Sequence, residues 1–203
     1  MENLIEVVFN GRGGQGVVTS AEIFARAAAY EGKNVQSVPH FGAERRGAPV
    51  VAYARISDGK IWLREPVSSP DVVVVLDQSV MNESKIVHDL KTGGIVVINS
   101  SKSPTEFKSM FGTESKIYAV DASEIATKIL GRSIVSTVIL GALSKATGLI
   151  TLDSLRHAIR HGLPNANIDL NMRAVEMAAS SVTPEAVPFP SYPSTFEAGK
   201  QKE

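Results

Sequence analysis

The stretch V-V-F-N-G-R-G-G-Q-G-V-V, residues 7–18, decides how the rest of the chain is read. It places Gly11, Arg12, Gly13, Gly14, Gln15 and Gly16 between a β-branched apolar run, Leu4 to Phe9, and an alanine-rich run, Val17 to Tyr30. The first run has no helical period and reads as a strand buried on both faces. The second is rich in the best helix former, and Gly32 supplies a stop. Strand, tight turn and helix start therefore follow one another. Glycine permits positive φ and close backbone approach, and a helix N-terminus points unpaired N–H groups forward, so the turn suits an anion such as a phosphate.

Working outward, Lys33 to Val38 reads as a second strand, and His40 to Pro49, which holds Glu44, Arg45, Arg46 and Gly47, as a loop. Val50 to Ser57 alternates, meets Asp58-Gly59 and resumes as Ile61 to Arg64, which predicts a hairpin turning at Asp-Gly. Asp71 to Leu76 is a further buried strand, followed by a weakly amphipathic helix from Asp77 through about Leu90. Gly94 to Asn99 and Lys116 to Val120 add two strands, with a polar crossing from Ser101 to Gly112. Helical spacing then governs Ala122 to Leu130, Ile134 to Thr147, Leu152 to Arg160 and Ile168 to Ser180. The fold class predicted is α/β: a three-layer α/β/α, Rossmann-like mixed sheet with one antiparallel hairpin and a helical C-terminal half. Residues 1–182 form one domain, and 183–203, with Pro184, Pro188, Pro190 and Pro193, form a proline-rich arm that orders against a partner.

Composition narrows the chemistry. Lys+Arg and Asp+Glu are 21 each in 203 residues, so no overall field favours nucleic acid or an anionic membrane. Cysteine is absent, which removes disulfides, thiolate nucleophiles and cysteine-ligated iron–sulfur clusters from this chain. No apolar run approaches the ~20 residues of a membrane span, and Met1 leads into Ile5 to Phe9 without a secretory pattern, so a cytoplasmic protein is expected.

Gly11, Gly13 and Gly16 satisfy G-x-G-x-x-G in the strand-to-helix context of a dinucleotide fingerprint. The acid that would hold the ribose is missing where the second strand ends, near Val38, Pro39 and His40, and Glu44 comes several residues late. Lys-Ser or Lys-Thr after the glycines is absent too, which excludes a P-loop NTPase. A free-standing Rossmann-type dinucleotide-binding oxidoreductase stays open as one reading, and glycines that serve only turn and packing as another. His40 reads as a packed loop residue. His88, His157 and His161 show no metal-ligand spacing with a third partner.

Two motifs in register point further. N-G-R-G-G-Q-G-V-V-T-S-A-E-I-F-A-R-A-A, residues 10–28, and F-G-A-E-R-R-G-A-P-V-V-A, residues 41–52, resemble the gamma subunit of 2-oxoacid:ferredoxin oxidoreductases of the pyruvate and 2-ketoisovalerate type. Weaker likeness runs through residues 70–77, 93–99, 140–148 and 167–174, and does not reach the tail. Ser136 stands where this family often has Asn, and Arg173 where it often has an acid.

The resemblance implies oxidative decarboxylation of a 2-oxoacid with coenzyme A to acyl-CoA, CO2 and reduced ferredoxin. It assigns thiamine diphosphate, Mg2+ and 4Fe–4S clusters to companion alpha, beta and delta subunits, with ferredoxin as electron acceptor. On that reading this chain holds no catalytic residue and binds none of those cofactors alone. It scaffolds the complex and helps bind coenzyme A through Gly11, Arg12, Gly13, Gly14, Gln15, Gly16, Glu44, Arg45, Arg46 and Gly47. A purely structural assembly module, with no ligand, is the remaining alternative.

Overall fold

The computed structural model describes residues 3–40, 47–81, 89–108 and 115–182. Strand β1 (Leu4–Arg12) runs directly into the glycine turn, and helix α1 (Val17–Tyr30) occupies the bounds its alanines predict. Strands β2 (Asn34–His40), β3 (Pro49–Ser57), β4 (Val72–Val75), β5 (Ile95–Asn99) and β6 (Lys116–Val120) complete one sheet in the order β2-β3-β1-β4-β5-β6. Four helices follow: α2 (Ala122–Leu130), α3 (Val135–Thr147), α4 (Leu152–Gly162) and α5 (Ile168–Ser181). Side chains cap three of them, with Asp121, Thr151 and Asn167 accepting from the backbone N–H groups of Glu124, Ser154 and Leu170.

The sheet is mixed, as expected. β4 and β5 lie parallel to β1 and to each other, and β6 is parallel to β5. β3 is antiparallel to both β1 and β2, so β1 and β2 run the same way with a reversed strand between them. This corrects the expected hairpin from Val50 to Arg64. Ile61 to Arg64 forms no strand, because both edges of β3 are already filled. Buried Arg55, 4% exposed, donates instead to the carbonyls of Leu63 at 3.4 Å and Glu65 at 2.6 Å. It also pairs with Glu6 at 2.8 Å and Gln36 at 3.0 Å. Buried in this way, its charge is paired and its fork is filled.

Among the described residues the two faces of the sheet meet separate apolar clusters. Val7, Phe9, Val72, Val74, Ile95, Val97 and Val120 join the five described helices in one apolar cluster. The alternate residues Val73, Val75, Val96, Ile98 and Ile117 meet Val80, Met81 and Phe107 from two single-turn 3-10 segments, Gln78–Val80 and Pro104–Phe107. Where a helix from Asp77 to Leu90 was expected, the described residues show only the first of these turns, and 82–88 lie outside them. The proline-rich arm expected at 183–203 lies outside them as well. No helix among the described residues is long and apolar enough to cross a membrane.

Candidate functional site, a two-loop surface at the carboxyl end of the sheet

β1 and β4 end side by side, at the point where the chain's crossovers switch from one side of β1 to the other. The glycine turn leaves β1 here. Gly14 and Gly16 have φ of 94° and 78°, the left-handed region that an L side chain rarely enters. Gly16 is the N-cap of α1 and no side chain caps that helix, so its first-turn N–H groups are left for another acceptor. Gly14 is exposed, with open space where a Cβ would stand. Gly11 and Gly16 are crowded instead. A Cβ on Gly11 would lie 2.9 Å from Val17 Cγ2, and one on Gly16 would lie 2.7 Å from Ser136 Cβ. Two of the glycines thus serve close packing, as the third glycine of a dinucleotide fingerprint does.

The second loop returns to the first. Gly13 N donates to Ala48 O at 2.8 Å, and Gly47 N donates to Gly13 O at 3.3 Å. Arg12 Nη1 donates to Gly47 O at 3.0 Å, while its Nε donates to Ser79 Oγ at 2.8 Å. Gln15 closes the turn, its Oε1 accepting from Arg12 N at 2.8 Å and its Nε2 donating to Asp77 Oδ2 at 2.6 Å. Asp77 Oδ1 accepts from Ser79 N at 2.9 Å and Ser79 Oγ at 2.6 Å. Burial opposes ionisation of Asp77. The hydrogen bonds from the Ser79 hydroxyl and backbone and from Gln15, with the Arg12 charge nearby, outweigh it and hold the carboxyl below its ordinary range.

Of the residues expected at the site, Gly11 to Gly16 and Gly47 are brought together. Glu44, Arg45 and Arg46 lie outside the described residues. Gln15 has its carbonyl and one amide proton committed to bracing the turn. The sequence reading missed Asp77 and Ser79, which sit 62 and 67 positions from their partners Gln15 and Arg12. It also missed Ser136 as the floor under Gly16, although that residue stood out as a departure from the family pattern. Ser20 Oγ lies 2.9 Å from the carbonyls of both Gly16 and Ser136, and so ties α1 to the start of α3. Asn10, fully buried just before the turn, has neither amide atom partnered, and nothing in the structure explains it. Among the described residues no three His, Asp or Glu side chains gather as a metal would need.

Known proteins carry the same architecture. The family model described as pyruvate ferredoxin/flavodoxin oxidoreductase matches residues 6–181. The pyruvate/ketoisovalerate oxidoreductases common subunit gamma of Thermococcus kodakarensis is 48% identical over 176 residues, 86% of this chain and 95% of that one. The pyruvate synthase subunit PorC of Methanothermobacter thermautotrophicus is 44% identical over 179 residues, 88% and 96% of the two chains. The crystal structure of the pyruvate oxidoreductase subunit PORC from Thermotoga maritima superposes with a TM-score of 0.78 at 37% identity, covering 89% of this chain and 97% of that one.

Proposed function

The chain belongs to the pyruvate ferredoxin/flavodoxin oxidoreductase family, and from that premise we propose that it is the gamma-type subunit of a multi-subunit 2-oxoacid:ferredoxin oxidoreductase. The observation that carries this reading is the match over nearly the whole length of relatives that are themselves named as subunits. The chain's chemistry agrees with a supporting role. It has no cysteine with which to ligate a cluster. Thiamine diphosphate with Mg2+ and the 4Fe–4S clusters then belong to companion alpha, beta and delta subunits, and ferredoxin takes the electrons, in the cytoplasm.

Within that complex the two-loop surface contributes to coenzyme A binding. Support comes from the uncapped N-terminus of α1, the open backbone at Gly14 and the Arg12 guanidinium held beside them, all suited to phosphate oxygens. Arg45 and Arg46 are expected to add charge to the same ligand. The test is steady-state kinetics of the assembled enzyme carrying Arg12→Ala or the double change Arg45→Ala with Arg46→Ala. The coenzyme A KM should rise about tenfold or more while the 2-oxoacid KM stays within about twofold. KM values unchanged from wild type for both substrates, together with impaired assembly, would favour a second reading in which this surface only docks a companion subunit. That reading draws on the commitment of Gln15 and Arg12 to bonds inside the chain.

A further inference from the structure

At the far end of the sheet order from β6, β2 is an edge strand, and among the described residues its outer side pairs with nothing. It is neither short nor charged, which are common ways of protecting an edge. Val35 and Val38 are 36% and 40% exposed, and the only backbone donor missing from the strand is that of Pro39, near its end. Beside it stands Trp62, 80% exposed and the chain's single tryptophan, followed by Leu63 at 41%. Asn34, Val35, Gln36, Lys60, Ile61 and Trp62 line a shallow depression between the strand and this segment. The segment does not hang loose, because buried Arg55 grips the carbonyls of Leu63 and Glu65 and reaches across to Gln36 of β2. A large aromatic presented on a pinned segment, next to unpaired backbone groups, is the arrangement of an interface anchor.

The charges indicate what covers it. Lys60 Nζ lies 5.9 Å from the centre of the Trp62 ring, whereas the nearby Lys33 is already paired with Asp58 at 2.6 Å. An occupant that brings a carboxylate to exposed Lys60 and an apolar side chain to the depression complements both. A second copy of this chain docked edge to edge would offer N-V-Q-S-V-P-H, residues 34–40, which contains no carboxylate. We propose that the open edge of β2 and Trp62 together receive an extended segment of a companion subunit, alternating apolar side chains with at least one Asp or Glu, which pairs with β2 as a seventh strand. This rests on the reading of the chain as a subunit, and the depression is remote from the glycine turn, so it is a separate surface from the one assigned to coenzyme A.

Because Trp62 is the only tryptophan, 5-fluorotryptophan incorporated into this chain reports on that residue even inside the complex. Labelled chain is mixed with its unlabelled companion subunits, and the fluorine resonance and its paramagnetic-quencher broadening are followed. On assembly the resonance should shift and lose most of its broadening. Trp62→Ala and Lys60→Glu should each weaken capture of the chain by the companion subunits about tenfold or more, with thermal unfolding of the free chain unchanged. An active complex in which Trp62 keeps its full quencher access would overturn the inference and leave the subunit reading standing. Failure of any active complex to form would sink both. Concentration-dependent dimerisation of the free chain in sedimentation equilibrium, abolished by Trp62→Ala, would assign the edge to a second copy and also overturn it.

Discussion

Gly141 and Gly14 show how differently two regions of this molecule use the same missing side chain. Gly141 lies in α3 where that helix crosses α5, with no room for a Cβ against the Val175 carbonyl, and its backbone is ordinary helix. Gly14 lies in the turn with open space where a Cβ would stand, and what it supplies is a φ of 94°. On the helical face glycine removes volume so that two backbones can touch. At the carboxyl end of the sheet it shapes a surface that stays open. The first region is built against entry, the second for approach.

The contrast breaks first at the helix crossing. Gly141→Val should cost more than about 3 kcal/mol, because the obstruction is backbone and cannot swing away, and most of the variant should be recovered unfolded. An unfolding free energy from urea titration within about 1 kcal/mol of wild type would show that the crossing can slide apart. Gly16 stands between the two extremes, with a φ of 78° and Ser136 beneath it. Gly16→Ala should cost about 2–3 kcal/mol, and Ser136→Gly in the same chain should restore the part due to collision while leaving the backbone strain. Gly14→Ala, with strain alone, should cost about 1 kcal/mol, and Ser136→Gly should not relieve it.

The smallest expected effect belongs to Asp77. Its carboxyl titrates lower folded than unfolded, so its contribution is fully present above the unfolded value of about 4 and is lost as pH falls through the folded one. Because the group is only half-buried, Asp77→Asn should cost less than about 1 kcal/mol at neutral pH. The gap between wild type and variant in chemical-denaturation midpoints should close under acid. A gap that widens as pH falls would mean Asp77 is not held as a carboxylate by Ser79 and Gln15.

Local chemistry made much of this legible in advance. Val17 to Tyr30 and Ala122 to Leu130 have the bounds read from alanine content and from Gly32 and Gly131, because a helix is specified by neighbours along the chain. Lys116 to Val120 was equally plain. The partners of β3 were not. Asp58-Gly59 carries a strong hairpin signal, yet the strand's partners are set by which edges remain free once the whole sheet forms, and no short window contains that. The site divides in the same way. Glycines at 11, 13, 14 and 16 announce a turn from their own dihedral freedom, whereas Asp77, Ser79 and Ser136 reach it only through tertiary contact.

The reversed strand β3 also bears on the order in which the protein can form. β1, α1 and β2 would ordinarily close as a unit, but here their two strands stand about 9.5 Å apart, two strand spacings, with a slot between them. Until residue 57 has left the ribosome, neither strand has the ladder that joins them, and α1 has no continuous floor on which to lie. β1, α1, β2 and β3 should therefore gain protection from hydrogen exchange together in one step, even though α1, taken alone, is among the segments best suited to form early.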